Sequence, residues 1–137
     1  MNIQIKNASN EPIYLQIKKQ LKDAIISGEL EEDAQLPSIR FLAKELRVSV
    51  ITTKRAYDEL EREGFLHSVQ GKGSFVAAQN RALMKENLLR KMEACFAEAL
   101  HYADLANVSR EEVHELLRLV EEDHDGSDLP SGRGKEI

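Results

Sequence analysis

Two short amphipathic patterns with only a tight turn between them constrain this fold more than any other feature of the sequence. The first follows Ser38, a residue type that caps helices, and ends at Leu46. The second follows Ser49 and continues to Gly64. The inward-facing residues are Ile39, Leu42, Ala43 and Leu46, then Thr53, Ala56, Tyr57 and Leu60. The short turn from Arg47 to Ser49 predicts a helix-turn-helix.

A helix before this pair and a hairpin after it complete the predicted domain. Three isoleucines and a leucine recur at four-residue spacing from Ile13 to Ile25, and Gly28 ends the pattern. Short extended runs at 65–70 and 74–76 flank a Gly-Lys-Gly sequence, which predicts a β-hairpin. We therefore predict a mainly α winged helix-turn-helix with a small β wing over residues 10–78.

The remainder of the chain is predicted to form two helices and a tail. An apolar stripe with helical spacing begins after Arg81, and Ser109 with Glu112 matches the capping box that starts a second helix. These helices occupy a segment from 79 to 124. Residues 125–137 show no periodicity and are rich in glycine, serine and charge, which predicts a flexible tail.

The composition excludes several classes of protein. No apolar run approaches the roughly 20 residues that span a bilayer, and the start lacks a signal peptide's apolar centre. We expect a cytoplasmic protein with no membrane partner. The single cysteine, Cys95, excludes an intramolecular disulfide, and we assign it to core packing. The histidines form no ligand cluster and no nucleophile–base set is present, so we expect no metal, no cofactor and no enzymatic activity.

Charge is distributed unevenly along the chain, whose net charge is −5. Five basic residues and one acidic residue lie between Ser38 and Arg55, whereas thirteen acidic and eight basic residues lie beyond residue 80. This polarity is typical of a protein that meets a polyanion at one end. Lys54 and Arg55 lie on the outward face of the third helix, where basic side chains can donate to guanine or phosphate. The alternative for both is an ordinary solvated helix face.

Four blocks of this sequence resemble the GntR family of bacterial transcription regulators. They are 36–43 (LPSIRFLA), 48–57 (VSVITTKRAY), 60–65 (LEREGF) and 71–76 (GKGSFV), in the family's order and with its spacing. The rest of the chain is too short for the large effector or aminotransferase-like domains of many members. Its length is similar to that of the YtrA subfamily, in which two C-terminal helices serve mainly for dimerisation.

The resemblance implies a set of DNA-binding residues. Family contacts carry over to Arg40, Ser49, Thr52 and Lys54, and at the wing tip to Gln70, Gly71 and Lys72. Arg55 joins the set because of its outward position. Many relatives have arginine after Ser49, but this chain has Val50. Valine cannot donate a hydrogen bond to a base, although it can touch a thymine methyl group.

The C-terminal helices carry more apolar surface than two helices can bury against each other. The residues concerned are Leu88, Met92, Phe96 and Leu100, with Val113, Leu116, Leu117 and Val120. Either the winged domain covers them, or the same residues of a second subunit do so across a two-fold axis. We predict the second arrangement, a homodimer.

The sequence as a whole predicts a DNA-binding transcription regulator. We expect a repressor that binds a palindromic operator in double-stranded DNA as a homodimer. The alternative is a winged-helix module for protein–protein interaction, which would respond little to a phosphate competitor. A small-molecule effector bound between subunits is left open.

Overall fold

The computed structural model describes residues 2–126. In that part of the chain the elements are α1 (Ile13–Ser27), α2 (Ile39–Leu46), α3 (Val50–Arg62), β1 (Leu66–Val69), β2 (Gly73–Val76), α4 (Arg81–Leu105) and α5 (Arg110–Gly126). They form two compact units, which divide between Asn80 and Arg81. The predicted fold class, a winged helix-turn-helix followed by two helices, is confirmed. None of these helices is long and apolar enough to cross a membrane.

Of the predicted tail, 125–137, only the first two residues are described. They form the end of α5, which continues to Gly126. The rest of the predicted tail lies outside the described residues.

The core of the first unit forms where the three helices meet the small sheet. The helices contribute Ile17, Leu21, Ile25, Leu42, Ala56, Tyr57 and Leu60, and the chain outside them contributes Leu36, Leu66 and Val76. Three α1 residues of this set are fully buried because their four-residue spacing places them on one helix face. Gly28 ends α1 in the left-handed conformation, with φ 89°.

Serine caps start both helices of the helix-turn-helix, and a backbone hydrogen bond closes the turn between them. Ser38 caps α2 and Ser49 caps α3, each accepting a hydrogen bond at 3.0 Å from the backbone amide three residues later. Both predicted caps are confirmed. Arg47, the residue after α2, is left-handed with φ 59° and forms its C-cap, and the Val48 amide donates to the Ala43 carbonyl at 3.0 Å. The helices are therefore joined without a glycine.

The wing contains a third segment that the sequence analysis did not predict. β1 pairs antiparallel with β2, from Leu66 opposite Val76 to Val69 opposite Gly73. The chain at 33–36 adds backbone hydrogen bonds along β2, and Gln35 forms a β-bridge with Phe75. This segment is short and lacks the period-two pattern of a strand, so nothing in its sequence indicated pairing.

Two glutamines hold the chain before α1 against that helix. The side chain of Gln16 accepts from the Lys6 amide at 2.8 Å and donates to the Lys6 carbonyl at 3.1 Å. Gln20 binds the Gln4 amide and carbonyl in the same way, at 2.9 and 2.7 Å. The isoleucines of this stretch pack against the core. The first unit thus includes residues that the predicted range, which began at residue 10, left out.

The second unit turns between its helices through a left-handed residue and a capping box. Asn107 has φ 58°, and the Val108 amide returns to the Ala103 carbonyl at 2.8 Å. The Glu112 amide donates to the Ser109 hydroxyl at 3.1 Å, and the Ser109 amide donates to the Glu112 carboxylate at 3.2 Å. The capping box predicted from the sequence is confirmed.

Cys95 is exposed on α4, so its assignment to core packing is wrong. The reason is that α4 and α5 bury few side chains within the single chain. Among their described residues Ala103, next to the turn, is the one buried hydrophobic side chain. The middle of α4 therefore has no core into which a cysteine could be packed.

Candidate nucleic-acid interface

α3 separates its residues into a buried face and an exposed face. The buried residues are Thr53, Ala56, Tyr57 and Leu60. On the exposed face, Ile51 is 81% exposed and Val50 43% exposed. Lys54 and Arg55 also lie at the surface. The exposed face can therefore enter a groove while the buried face holds the helix on the core.

A buried tyrosine fixes α3 relative to the chain before α2. The Tyr57 hydroxyl donates a hydrogen bond of 2.7 Å to the Pro37 carbonyl. Burial raises the pKa of Tyr57 well above its usual range, so the hydroxyl stays protonated and keeps donating. The orientation of the exposed face of α3 is thus set from inside the domain.

The first turn of α3 uses its own polar groups internally. The Ser49 hydroxyl accepts from the Thr52 amide and donates to the Thr52 hydroxyl, at 3.0 and 2.8 Å. The Thr53 hydroxyl donates to the Ser49 carbonyl at 3.1 Å. The sequence-predicted pair Ser49 and Thr52 is therefore brought together at the helix start, but as partners of each other.

The two basic residues of α3 differ in how firmly they are held. Lys54 forms an ion pair of 2.7 Å with Asp58, and both side chains are widely exposed. The Arg55 guanidinium lies 3.7 Å from the centre of the Tyr14 ring on α1, and its Nε donates to Glu59 at 3.2 Å. Arg55 therefore links α3 to α1, a role that the sequence analysis missed because no local pattern connects positions 14 and 55.

An ion-pair network strengthens the same contact between α1 and α3. The Lys18 ammonium donates to Glu59 at 3.0 Å and also to Glu63, with Lys22 at 3.6 Å from Glu63. Hydrogen bonds to Glu63 and Glu59 raise the pKa of Lys18. The same bonds from Lys18 lower the pKa of Glu59 and the pKa of Glu63. These shifts favour the charged forms of Lys18, Glu59 and Glu63.

Two predicted DNA-binding cations lie on the elements next to α3 and have no partner of their own. Within residues 2–126, the side chains of Arg40 on α2 and Lys72 on the wing make no hydrogen bond or ion pair. Both residues are exposed, as are Gln70 and Gly71 at the wing tip. Such cations are free to neutralise phosphates.

The wing tip is held by a contact that the sequence did not reveal. Gln35, from the third segment of the wing, donates its side-chain amide to the Lys72 carbonyl at 2.7 Å. Gly71 is left-handed, with φ 80°, and no atom lies within 4 Å of where a side chain would begin. The tip is therefore a tight turn with open space around Gly71, which permits close backbone approach to another molecule.

The predicted dimerisation residues lie at the surface of their unit. Leu88, Met92, Phe96 and Leu100 on α4 and Leu116, Leu117 and Val120 on α5 are exposed, and Val113 is half-buried. Leu83, Leu89, Leu105 and Leu119 are exposed as well. Such a concentration of exposed large apolar side chains is unusual for a monomeric surface.

Comparison with known proteins agrees with this geometry. Residues 13–76 match the model of the gntR family of bacterial regulatory proteins. The HTH-type transcriptional repressor YtrA of Bacillus subtilis is 31% identical over 124 residues, which are 90% of this chain and 95% of that protein. The chain belongs to the GntR family. The predicted resemblance to YtrA-type members is confirmed. The family consists of transcription regulators and not of enzymes.

Solved structures extend the likeness to the fold. YtrA from Sulfolobus acidocaldarius, a GntR-family transcription factor, is 37% identical with a TM-score of 0.54, covering 67% of this chain and 97% of that one. The AraR DNA-binding domain in complex with operator ORX1 is 29% identical with a TM-score of 0.51, covering 56% of this chain and 99% of that domain. The chain is thus a GntR-family regulator with a winged-helix DNA-binding domain.

Proposed function

We propose that this GntR-family chain represses transcription by binding a palindromic operator as a homodimer, with α3 in the major groove. The observation that carries this proposal is the exposed face of α3, flanked on neighbouring elements by Arg40 and Lys72, whose side chains have no partner among the described residues. A net charge of −5 would oppose DNA binding if the charge were uniform, but the segment from Ser38 to Arg55 has five basic residues and one acidic residue. The AraR–operator complex and the name of the YtrA repressor support the same function.

The residues of this surface divide into those that position DNA and those that read it. Arg40 and Lys72 contact phosphates, because each is exposed and its side chain has no partner within residues 2–126, and the Gly71 backbone lets the wing approach closely. Lys54 exchanges Asp58 for a base or a phosphate. Arg55 stays over Tyr14 and offers charge from a fixed position.

Two lysine variants test the DNA-binding surface. Lys54→Ala should weaken specific binding by about 1–3 kcal/mol if Lys54 contacts a base. Lys72→Ala should weaken binding to specific and random duplexes alike, and should lower the salt slope of the binding constant by about one counterion. Both are measured by titrating labelled duplexes at several salt concentrations.

The matched control is Lys19→Ala. Lys19 is an exposed lysine of α1 that pairs with Glu11, a residue outside the helix-turn-helix and the wing. It should leave both duplex affinities unchanged. If Lys54→Ala and Lys72→Ala behaved like this control, the proposed surface would be wrong.

The homodimer rests on the apolar face of α4 and α5. Phe96 is 54% exposed and Leu116 59% exposed in the single chain, and burying such side chains stabilises by about 1.5–3 kcal/mol each. A second copy offers an identical apolar face, and a two-fold axis lets each of the two faces cover the other. Two α3 helices would then bind half-sites separated by one duplex turn or a multiple of it.

Sedimentation of the full chain tests the dimer directly. We expect a dimer at micromolar concentration, whereas a chain that ends at Asn80 should be folded, monomeric and far weaker on a palindromic duplex. A full chain that is monomeric at micromolar concentration, yet binds the palindrome at nanomolar concentration, would overturn the homodimer.

A further inference from the structure

The first turn of α3 presents two bare apolar side chains on the surface where DNA is proposed to bind. Ile51 is 81% exposed and Val50 43% exposed, although the core side of the same helix is fully packed. Ile51 is a full helix turn away from Arg55 and three residues from Lys54, so apolar and basic side chains share one exposed surface.

The polar side chains of this turn are already engaged within the helix, and Thr52 is half-buried. The hydroxyls of Ser49 and Thr52 bind each other, and the Ser49 hydroxyl also caps the helix. The next basic side chain, Lys54, begins one turn later and pairs with Asp58. What the start of α3 offers to a partner is therefore mainly the methyl and methylene groups of Val50 and Ile51.

We propose that Val50 and Ile51 read the 5-methyl groups of thymine in the major groove. This inference rests on the proposed function and adds to it the chemistry of the operator. The early residues of a recognition helix are those that reach base edges. Among the groups that base pairs present in the major groove, the thymine methyl is the apolar one, so it is the group these side chains can bury. Each half-site should contain thymine opposite the first turn of α3.

Charge favours DNA over a protein partner for this surface. Between Ser38 and Arg55 the chain has five basic residues and one acidic residue. Arg40 has no partner within the described residues, so its charge is available to phosphates beside the groove. An apolar pair beside basic side chains matches methyl groups lying between two phosphate backbones.

Deoxyuridine substitution tests this reading one methyl group at a time. The operator is first obtained by selecting bound duplexes from a random pool, and each thymine of one half-site is then replaced by deoxyuridine. This change removes the methyl group and leaves the base-pair hydrogen bonds unchanged. We expect affinity to fall about 3- to 10-fold at one or two positions in each half-site, the size expected for burying one methyl group.

Variants then connect the methyl group to its side chain. In Ile51→Ala or Val50→Ala, the same deoxyuridine substitution should have little further effect. Lys72→Ala should lower affinity but keep the full deoxyuridine sensitivity. Circular dichroism checks that the variants are folded, which is expected because both side chains lie at the surface.

A gain of affinity on adding a methyl group provides a second measurement. At a sensitive position the T·A pair is changed to C·G, and cytosine is compared with 5-methylcytosine, which restores the methyl group. The methyl group should increase the affinity of the unaltered protein by a similar factor, and should not do so for Ile51→Ala with Val50→Ala.

Three results would overturn the proposal: a selected half-site without thymine, deoxyuridine substitutions without effect, or sensitivity that persists when both side chains are alanine. Binding that prefers one sequence yet ignores the methyl groups refutes this inference alone. Binding without any sequence preference refutes the proposed function itself.

Discussion

The two units of this chain use their apolar residues in opposite ways. In the first unit, Ile17, Leu21 and Ile25 are fully buried in a core that one chain completes. In the second, most large apolar side chains are exposed, from Leu100 at 37% to Leu105 at 71%. The first unit therefore buries its own apolar residues, whereas those of the second are exposed in the single chain, as the proposed homodimer requires.

The polar contacts of the two units differ in how far apart in sequence the paired residues lie. In the first unit they join residues distant in sequence, such as Tyr57 with Pro37 and Lys18 with Glu59. In the second, the ion pair of Arg118 with Glu115 is local and exposed. Exposed local pairs contribute little, so stability in the second unit depends on its apolar face.

A matched pair of leucine variants gives the largest expected effect. Leu21→Ala should lower the free energy of unfolding of the first unit by about 2–5 kcal/mol, because a fully buried side chain leaves a cavity. Leu100→Ala should leave that quantity unchanged and instead raise the dissociation constant of the dimer. Urea denaturation and sedimentation at several protein concentrations measure the two effects.

The dependence of stability on protein concentration distinguishes the two leucine variants. The loss of unfolding free energy caused by Leu21→Ala should be the same at every protein concentration, because a single chain completes the core. If Leu100→Ala lowered the stability of the first unit, or left sedimentation unchanged, the contrast between the two units would not hold.

Acid should destabilise the first unit through its ion-pair network, which has no counterpart among the local pairs described in the second unit. Hydrogen bonds from Lys18 hold the pKa of Glu59 and the pKa of Glu63 below the ordinary value. Their contribution to stability is complete above the unfolded pKa, about 4.3, and is lost as the pH falls through the lower folded pKa values. Amide hydrogen exchange of α1, followed as the pH falls from 5, should show this loss.

Lys18→Met should flatten the acid dependence, because methionine keeps an apolar stem and donates no hydrogen bond. Lys19→Met is the matched control, since Lys19 pairs with Glu11 and not with the network. The control should show the same acid dependence as the unaltered chain. Equal acid profiles for Lys18→Met and the unaltered chain would remove the network as the cause.

The sequence predicted those parts of the fold that are set by local patterns. The helix caps at Ser38, Ser49 and Ser109 were predicted because a cap is a contact between residues three apart. The four-residue spacing in α1 likewise indicated which of its faces is buried.

The contacts that were missed join residues far apart in the chain. Gln35 on the wing and Tyr14 under Arg55 have roles that exist only after folding. Cys95 was misassigned because an apolar helical stripe looks the same whether a single chain or a second subunit covers it. The DNA-binding residues were proposed from family motifs, whereas the pairing of Lys54 with Asp58 required the structure.

The smallest expected effect compares the left-handed helix ends of the two units. Arg47 ends α2 with φ 59°, and Asn107 follows α4 with φ 58°. A left-handed conformation costs an ordinary side chain roughly 1–2 kcal/mol, whereas asparagine tolerates it better. Because glycine adopts it without steric cost but loses more entropy on folding, Arg47→Gly should raise the free energy of unfolding by up to about 1 kcal/mol, and Asn107→Gly by less.

Arg47→Ala is the control, since alanine keeps the Cβ atom and removes only the charged chain. Unfolding is measured without DNA, so that a lost phosphate contact does not enter. A gain as large for Arg47→Ala as for Arg47→Gly would show that removing the charge stabilises the turn, and that backbone strain does not distinguish the two helix ends.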